Sequence, residues 1–97
     1  MDRLQSRVNS SDAAFKSNHE HNSALLETLR ERLESTHLGG GGKYVEKHRS
    51  RGKALPRERI SSICDPGTPF LELSPLAAFD LYDGKASSAG IVTGIGV

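Results

Sequence analysis

Residues 49–73 read RSRGKALPRERISSICDPGTPFLEL, and three changes of character fall within them. Arg49, Arg51 and Lys53 open the stretch as a dense run of cations around Gly52. Pro56 then suits a first helical turn, because its fixed φ fits a helix and its missing N–H would have no partner there. A short helix is predicted over 56–64, with Ile60, Ile63 and Cys64 facing inward at i, i+3 and i+4. Asp65-Pro66-Gly67-Thr68-Pro69 is turn chemistry that ends it, and Phe70 to Leu73 is a short strand candidate.

Upstream, Leu25, Leu26, Leu29 and Leu33 form one apolar stripe at helical spacing. The spacing predicts a helix over 12–38, with Ser11 or Asp12 capping its start and the run Gly39–Gly42 stopping it. A phosphate loop is a poor reading of that run. It follows a helix where a phosphate loop follows a strand, and no Gly-Lys-Ser or Gly-Lys-Thr is present. Residues 43–52 read as a short basic helix ending at Gly52. Downstream, Asp83-Gly84 is a turn signal. Ala89 to Val97 reads as a strand, with Ile91, Thr93, Ile95 and Val97 on one face and Val92, Gly94 and Gly96 on the other. Glycines on one face of a strand mark close approach by other atoms. An end inside an apolar strand reads as the mark of a fragment.

The chain has 97 residues and a net charge of +1, with thirteen Lys and Arg against twelve Asp and Glu. This balance excludes a wholly basic, nucleic-acid-coating protein. The charge is nevertheless segregated. Residues 1–42 carry five basic and six acidic side chains, residues 43–59 seven and two, and residues 60–97 one and four. Hydrophobic residues make up 35% and aromatic residues 5%, so a large independent core is not expected. Cys64 is the single cysteine, which excludes an internal disulfide or a cysteine-based zinc site and fits a reducing compartment. No apolar run is long enough to span a membrane, and the first residues lack the apolar segment of a secretory signal. Asp2 and Asp12 count against a mitochondrial leader.

The basic cluster suits phosphate groups, since each Arg offers a two-pronged fork, but a solvated face or a subunit contact uses the same residues. Tyr44 is the one aromatic nearby, which argues against base stacking. His19 and His21 lie two apart and on different helix faces, so no metal site is expected. Cys64 reads as a buried small hydrophobe rather than a nucleophile, and Asp80 and Asp83 as turn carboxylates.

The stretch from Arg49 to Leu73 closely resembles the start of the carboxyltransferase (beta) subunits of biotin-dependent acyl-CoA carboxylases. The glycine run before it, and the Leu81-Tyr82-Asp83-Gly84 and Ala89-Gly90-Ile91-Val92-Thr93-Gly94-Ile95-Gly96 segments after it, resemble most the methylcrotonyl-CoA type, then the propionyl-CoA type. The resemblance covers residues 25–97. Ala54 stands where the family has a larger aliphatic residue, and Cys64 where Leu or Ile is common.

The resemblance implies an α/β, crotonase-like fold in the full subunit. Residues 1–11 would then be a flexible N-terminus. Residues 12–64 would be a helical lead-in broken at 39–42, and residues 65–97 the start of the carboxyltransferase domain. It implies transfer of a carboxyl group from carboxybiotin to 3-methylcrotonyl-CoA in leucine degradation. Biotin would be carried by a partner alpha subunit, which alone uses ATP, and other beta subunits would form a homo-oligomeric core. The oxyanion-hole segments would lie beyond Val97, so no catalytic residue is assigned and the isolated chain is expected to be inactive. Arg49, Arg51 and Lys53 are the candidates for CoA phosphates or subunit contact. No nucleic-acid or membrane partner is expected. The compartment would be the mitochondrial matrix in a eukaryote and the cytoplasm in a bacterium. A non-enzymatic truncated remnant and a basic RNA-binding module are the alternatives.

Overall fold

A computed structural model describes residues 3–97 and divides the chain into two compact units, meeting between Glu31 and Arg32. Asp2, weighed above against a leader, lies outside the described residues, as does the start of the 1–11 segment.

The first unit is built on helix α1, Ala13–His37, which continues into the second. The Asp12 carbonyl accepts from the Lys16 N–H, so the chain enters the helix at the expected place, through its backbone. Within this unit the helix makes local contacts. Phe15 and His19 stack at 6.1 Å, and Glu27 and Arg30 pair at 3.7 Å on the surface. Leu25, Leu26 and Leu29 are exposed.

The second unit holds the end of α1, two further helices and a small sheet. Gly39, at φ +77°, closes α1, and its N–H is taken by the Thr36 carbonyl. Helix α2 is Gly42–Ser50, and Gly52 at φ +74° turns the chain after it. Helix α3 is Pro56–Ile63, with the proline in its first turn as expected. Glu58 Oε2 accepts from the Leu55 N–H at 2.7 Å, satisfying one of the donors a helix start leaves open.

Strands β1, Leu71–Leu73, and β2, Thr93–Ile95, pair antiparallel, with Leu71 opposite Ile95, Glu72 opposite Gly94 and Leu73 opposite Thr93. The sequence-predicted strand 89–97 is thus much shorter. Ser87–Gly90 forms a 3-10 turn in which Ser88 and Ala89 have φ +52°, a conformation that cannot join a ladder. The predicted Asp83-Gly84 turn falls within a second 3-10 turn, Tyr82–Gly84.

The glycine face of β2 does receive close neighbours. A Cβ on Gly94 would lie 2.5 Å from the Leu71 carbonyl oxygen and would clash with the Phe70 ring at Cζ and Cε2, and one on Gly96 would lie 2.6 Å from Cys64 Sγ. Phe70, Glu72, Gly94 and Gly96 therefore share the packed side of the sheet, while Leu71, Leu73 and Ile95 are exposed on the other. One inward assignment fails: Ile63 is 83% exposed, because α3 ends at this residue. Cys64 does face the packed side, against Gly96, and is half-buried. Among the described residues no apolar side chain is fully buried. The two buried residues are Thr36 and Ser88, each 5% exposed.

Replacing Gly94 by Ala is expected to destabilise the strand pair by about 1–3 kcal/mol, the usual cost of forcing a side chain into filled space. The measurement is a urea titration followed by tyrosine and phenylalanine NMR signals. An unchanged midpoint would show that Phe70 does not lie on Gly94.

Candidate functional site

The basic middle of the chain folds into two charge clusters with different surroundings. The first is at the start of α3. Arg49, near the end of α2, donates from Nη2 to Glu58 Oε1 at 2.5 Å, while the other Glu58 oxygen holds the Leu55 N–H. The Leu55 N–H and then the Arg49 guanidinium hold the Glu58 carboxyl below the usual carboxylate range. His48 Nε2 lies 3.0 Å from the Ala54 carbonyl, pinning the 51–55 connection against α2. Arg51 and Lys53 stand on that pinned connection, exposed, and make no side-chain hydrogen bond or ion pair among the described residues. The three candidate cations are therefore brought together on one segment, with Arg49 tied to Glu58 and the other two free.

The second cluster centres on Arg57. Its Nε and Nη2 donate to the two oxygens of Glu72 at 3.1 and 2.5 Å, a two-pronged pair. Nη1 donates to the Thr36 carbonyl at 3.3 Å, and Nη2 also reaches Ser88 Oγ at 3.2 Å. Ser87 Oγ donates to the same Thr36 carbonyl at 3.1 Å, and Ser88 Oγ to the Pro75 carbonyl at 3.0 Å. His37 Nε2 lies 3.4 Å from Glu72, an ion pair whenever the ring is protonated. Glu72 is only 13% exposed. The Arg57 hydrogen bonds hold its carboxyl below the ordinary value of 4.5, against the cost of burial. This pair was missed in the sequence. Its signal is an acidic residue between Leu71 and Leu73, on the strand face opposite theirs.

Two cavities flank these clusters. One, of about 350 Å³, lies between Tyr44, Val45 and His48 of α2, Leu55, and the segment from Lys85 to Val92. The other, of about 450 Å³, lies between Leu33, Ile60, Cys64, Phe70 and Glu72. Both are walled mainly by apolar atoms. Among the described residues no group of three or more His, Cys, Asp or Glu is placed to hold a metal ion, and no helix is long and apolar enough to cross a membrane.

No family model matches the chain. Its curated relatives are consistent in kind. The chain is 45% identical over 93 residues to the mitochondrial methylcrotonoyl-CoA carboxylase beta chain of Arabidopsis thaliana, covering 96% of this chain and 16% of that one. It is 50% identical over 72 residues to the biotin-dependent 3-methylcrotonyl-coenzyme A carboxylase beta1 subunit of Mycobacterium tuberculosis, covering 74% of this chain and 14% of that one. A propionyl-CoA carboxylase beta chain of Roseobacter denitrificans is 35% identical over 77 residues, covering 74% of this chain and 15% of that one. The chain therefore belongs to the beta chains of the biotin-dependent acyl-CoA carboxylases, as the Arg49–Leu73 stretch indicated. It spans about a sixth of the length of the curated relatives it matches. The plant relative is named mitochondrial and the mycobacterial one is not.

The depressed Glu72 carboxyl gives a definite pH dependence. A carboxyl whose value is lowered by folding contributes stability that is present above its unfolded value and lost as pH falls through its folded value. Stability is thus expected to fall as pH drops below 4.5, and Glu72→Gln is expected to flatten that fall while lowering stability at pH 7. Thermal melts of both proteins between pH 7 and pH 3 measure it. Equal slopes would show that other carboxyls govern acid unfolding.

Proposed function

We propose that this chain is the N-terminal part of a carboxyltransferase beta subunit that moves a carboxyl group from carboxybiotin to 3-methylcrotonyl-CoA. The observation that carries the reading is the 45% identity over 96% of the chain to a methylcrotonoyl-CoA carboxylase beta chain, against 35% over 74% to a propionyl-CoA one. Propionyl-CoA is the second reading, since relatives of that type match the same family. The full subunit has a crotonase-like fold, residues 12–64 are its helical lead-in, and residues 65–97 begin its first domain. Biotin is carried by the partner alpha subunit, where ATP is consumed, and beta subunits assemble around one another. The compartment follows the source organism, mitochondrial matrix or bacterial cytoplasm.

Within this reading Arg51 and Lys53 are the residues that face CoA phosphates. Two observations support them: both are exposed, and the segment that carries them is held in place by His48 and by the Arg49–Glu58 pair. A cation on a pinned loop loses less freedom on meeting a phosphate than one on a loose chain. Arg49 acts from one step behind, through Glu58. The chemistry itself needs hydrogen-bond donors aimed at the thioester oxygen as the enolate forms. No such constellation is assigned to residues 1–97.

Two measurements test the reading. In an assembled carboxylase whose beta subunit carries these residues, Arg51→Ala and Lys53→Ala are each expected to raise KM for 3-methylcrotonyl-CoA by about three- to tenfold with kcat little changed, as lost uniform binding does. A change of assembly size by light scattering, with KM intact, would assign them to subunit contact instead. The purified 97-residue chain is expected to show no carboxyl transfer to 3-methylcrotonyl-CoA, because positioning and oxyanion donors each supply several kcal/mol of such an acceleration. Turnover by the chain alone would place the active site within it.

A further inference from the structure

Residues 74–84, Ser-Pro-Leu-Ala-Ala-Phe-Asp-Leu-Tyr-Asp-Gly, carry helix signals ahead of the Asp83-Gly84 turn signal. Ser74 is a good N-cap, Pro75 suits the first position, and Leu76, Ala77, Ala78 and Leu81 are strong helix formers. Gly84 stands where a helix would stop. The structure is not helical there. Ser74, Ala78, Tyr82 and Asp83 have φ between +50° and +58°, a region that side chains other than glycine enter at a cost. The backbone is a chain of tight turns, in which Ala77, Phe79, Leu81 and Gly84 each donate to the carbonyl three residues back.

Two carbonyls of the segment bond to the 88–89 turn, and those bonds favour the turn state over a helix. A helix beginning at Pro75 would need the Pro75 oxygen for the Phe79 N–H and the Ala77 oxygen for the Leu81 N–H. Both oxygens are engaged elsewhere. Ser88 Oγ donates to Pro75 at 3.0 Å, and the Ala89 N–H donates to Ala77 at 3.0 Å. Ser88 is buried and is itself gripped by Arg57 Nη2 at 3.2 Å. These two bonds at 88–89 form a clasp that ties the turn segment to the 87–90 turn.

We propose that residues 75–83 are a turn-to-helix switch, held in the turn state by the Ser88–Ala89 clasp and coupled through Ser88 to the Arg57–Glu72 pair. Releasing the clasp frees the Pro75 and Ala77 carbonyls, the left-handed residues return to ordinary helical φ, and Phe79 leaves the Arg32 guanidinium that now lies 4.7 Å from its ring centroid. The inference stands on the geometry of this segment and does not rest on the carboxylase reading.

Backbone chemical shifts of the 97-residue chain read the switch residue by residue. The wild type is expected to show non-helical Cα shifts over 75–83. Ser88→Ala removes the hydroxyl, and the helical population there is expected to rise about five- to tenfold, the weight of one net hydrogen bond. Ser88→Gly removes the same hydroxyl while easing the +52° backbone, and should act in the same direction. Adding Ala78→Gly to either variant is expected to reverse the gain, since glycine favours the turn conformation and disfavours the helix. Helical shifts already present in the wild type would overturn the proposal, as would turns that persist in both Ser88 variants. Loss of the Thr93–Ile95 signals in both would overturn it too, because the clasp would then hold the whole unit instead of choosing between two local structures.

Discussion

The second unit of this chain is organised by one guanidinium. Arg57 ties together four elements far apart in sequence: the end of α1 through the Thr36 carbonyl, its own helix α3, the centre of β1 through Glu72, and the 87–90 turn through Ser88. Small domains usually assemble around buried aliphatic side chains. Here the buried residues among those described are Thr36 and Ser88, both in contact with Arg57. An arginine can do this because its planar fork presents five donors in fixed directions. The arrangement is demanding as well. Removing one partner of a sheltered charge pair leaves the other charge without compensation, which costs more than the pair's net contribution to stability.

That use of charge changes how the basic middle of the chain is read. Seven Lys and Arg lie between residues 43 and 59, a density that suggests a ligand-binding patch. Two of them are already paired, Arg57 with the sheltered Glu72 and Arg49 with Glu58 at the surface. The carboxylates that neutralise them come from nearby in one case and from β1 in the other. Of the five that remain, only Arg51 and Lys53 stand on the connection that His48 pins to the Ala54 carbonyl.

Much of this was legible in the sequence, for local reasons. Pro56, the glycine run after residue 38 and the Asp65–Pro69 turn act on their own backbone, so the helices fall within one or two residues of their expected bounds. The glycines of β2 signalled close packing because the absence of a side chain is itself a local fact. What failed depended on contacts between distant residues. The strand expected from Ala89 is cut short because Ser88 and Ala89 are drawn into left-handed φ by partners at Pro75 and Ala77. Ile63 follows the helical spacing of Ile60, but the helix ends there and nothing covers it. The site was legible in part. Arg49, Arg51 and Lys53 do share one segment, while the Glu58 partner of Arg49 and the whole Arg57–Glu72 pair needed the fold to appear.

The small sheet keeps its charged residue on the packed side and turns Leu71, Leu73 and Ile95 outward. A short ladder with an apolar face and open edges is a template on which other extended chains can add, the first step toward amyloid-like stacking. The sequence sets a bound on that growth. Pro69 and Pro75 bracket β1, and a proline cannot donate to a growing ladder. Any strand that adds to the β1 edge can gain only the few hydrogen bonds between them, the spacing by which flanking prolines limit association at an apolar strand.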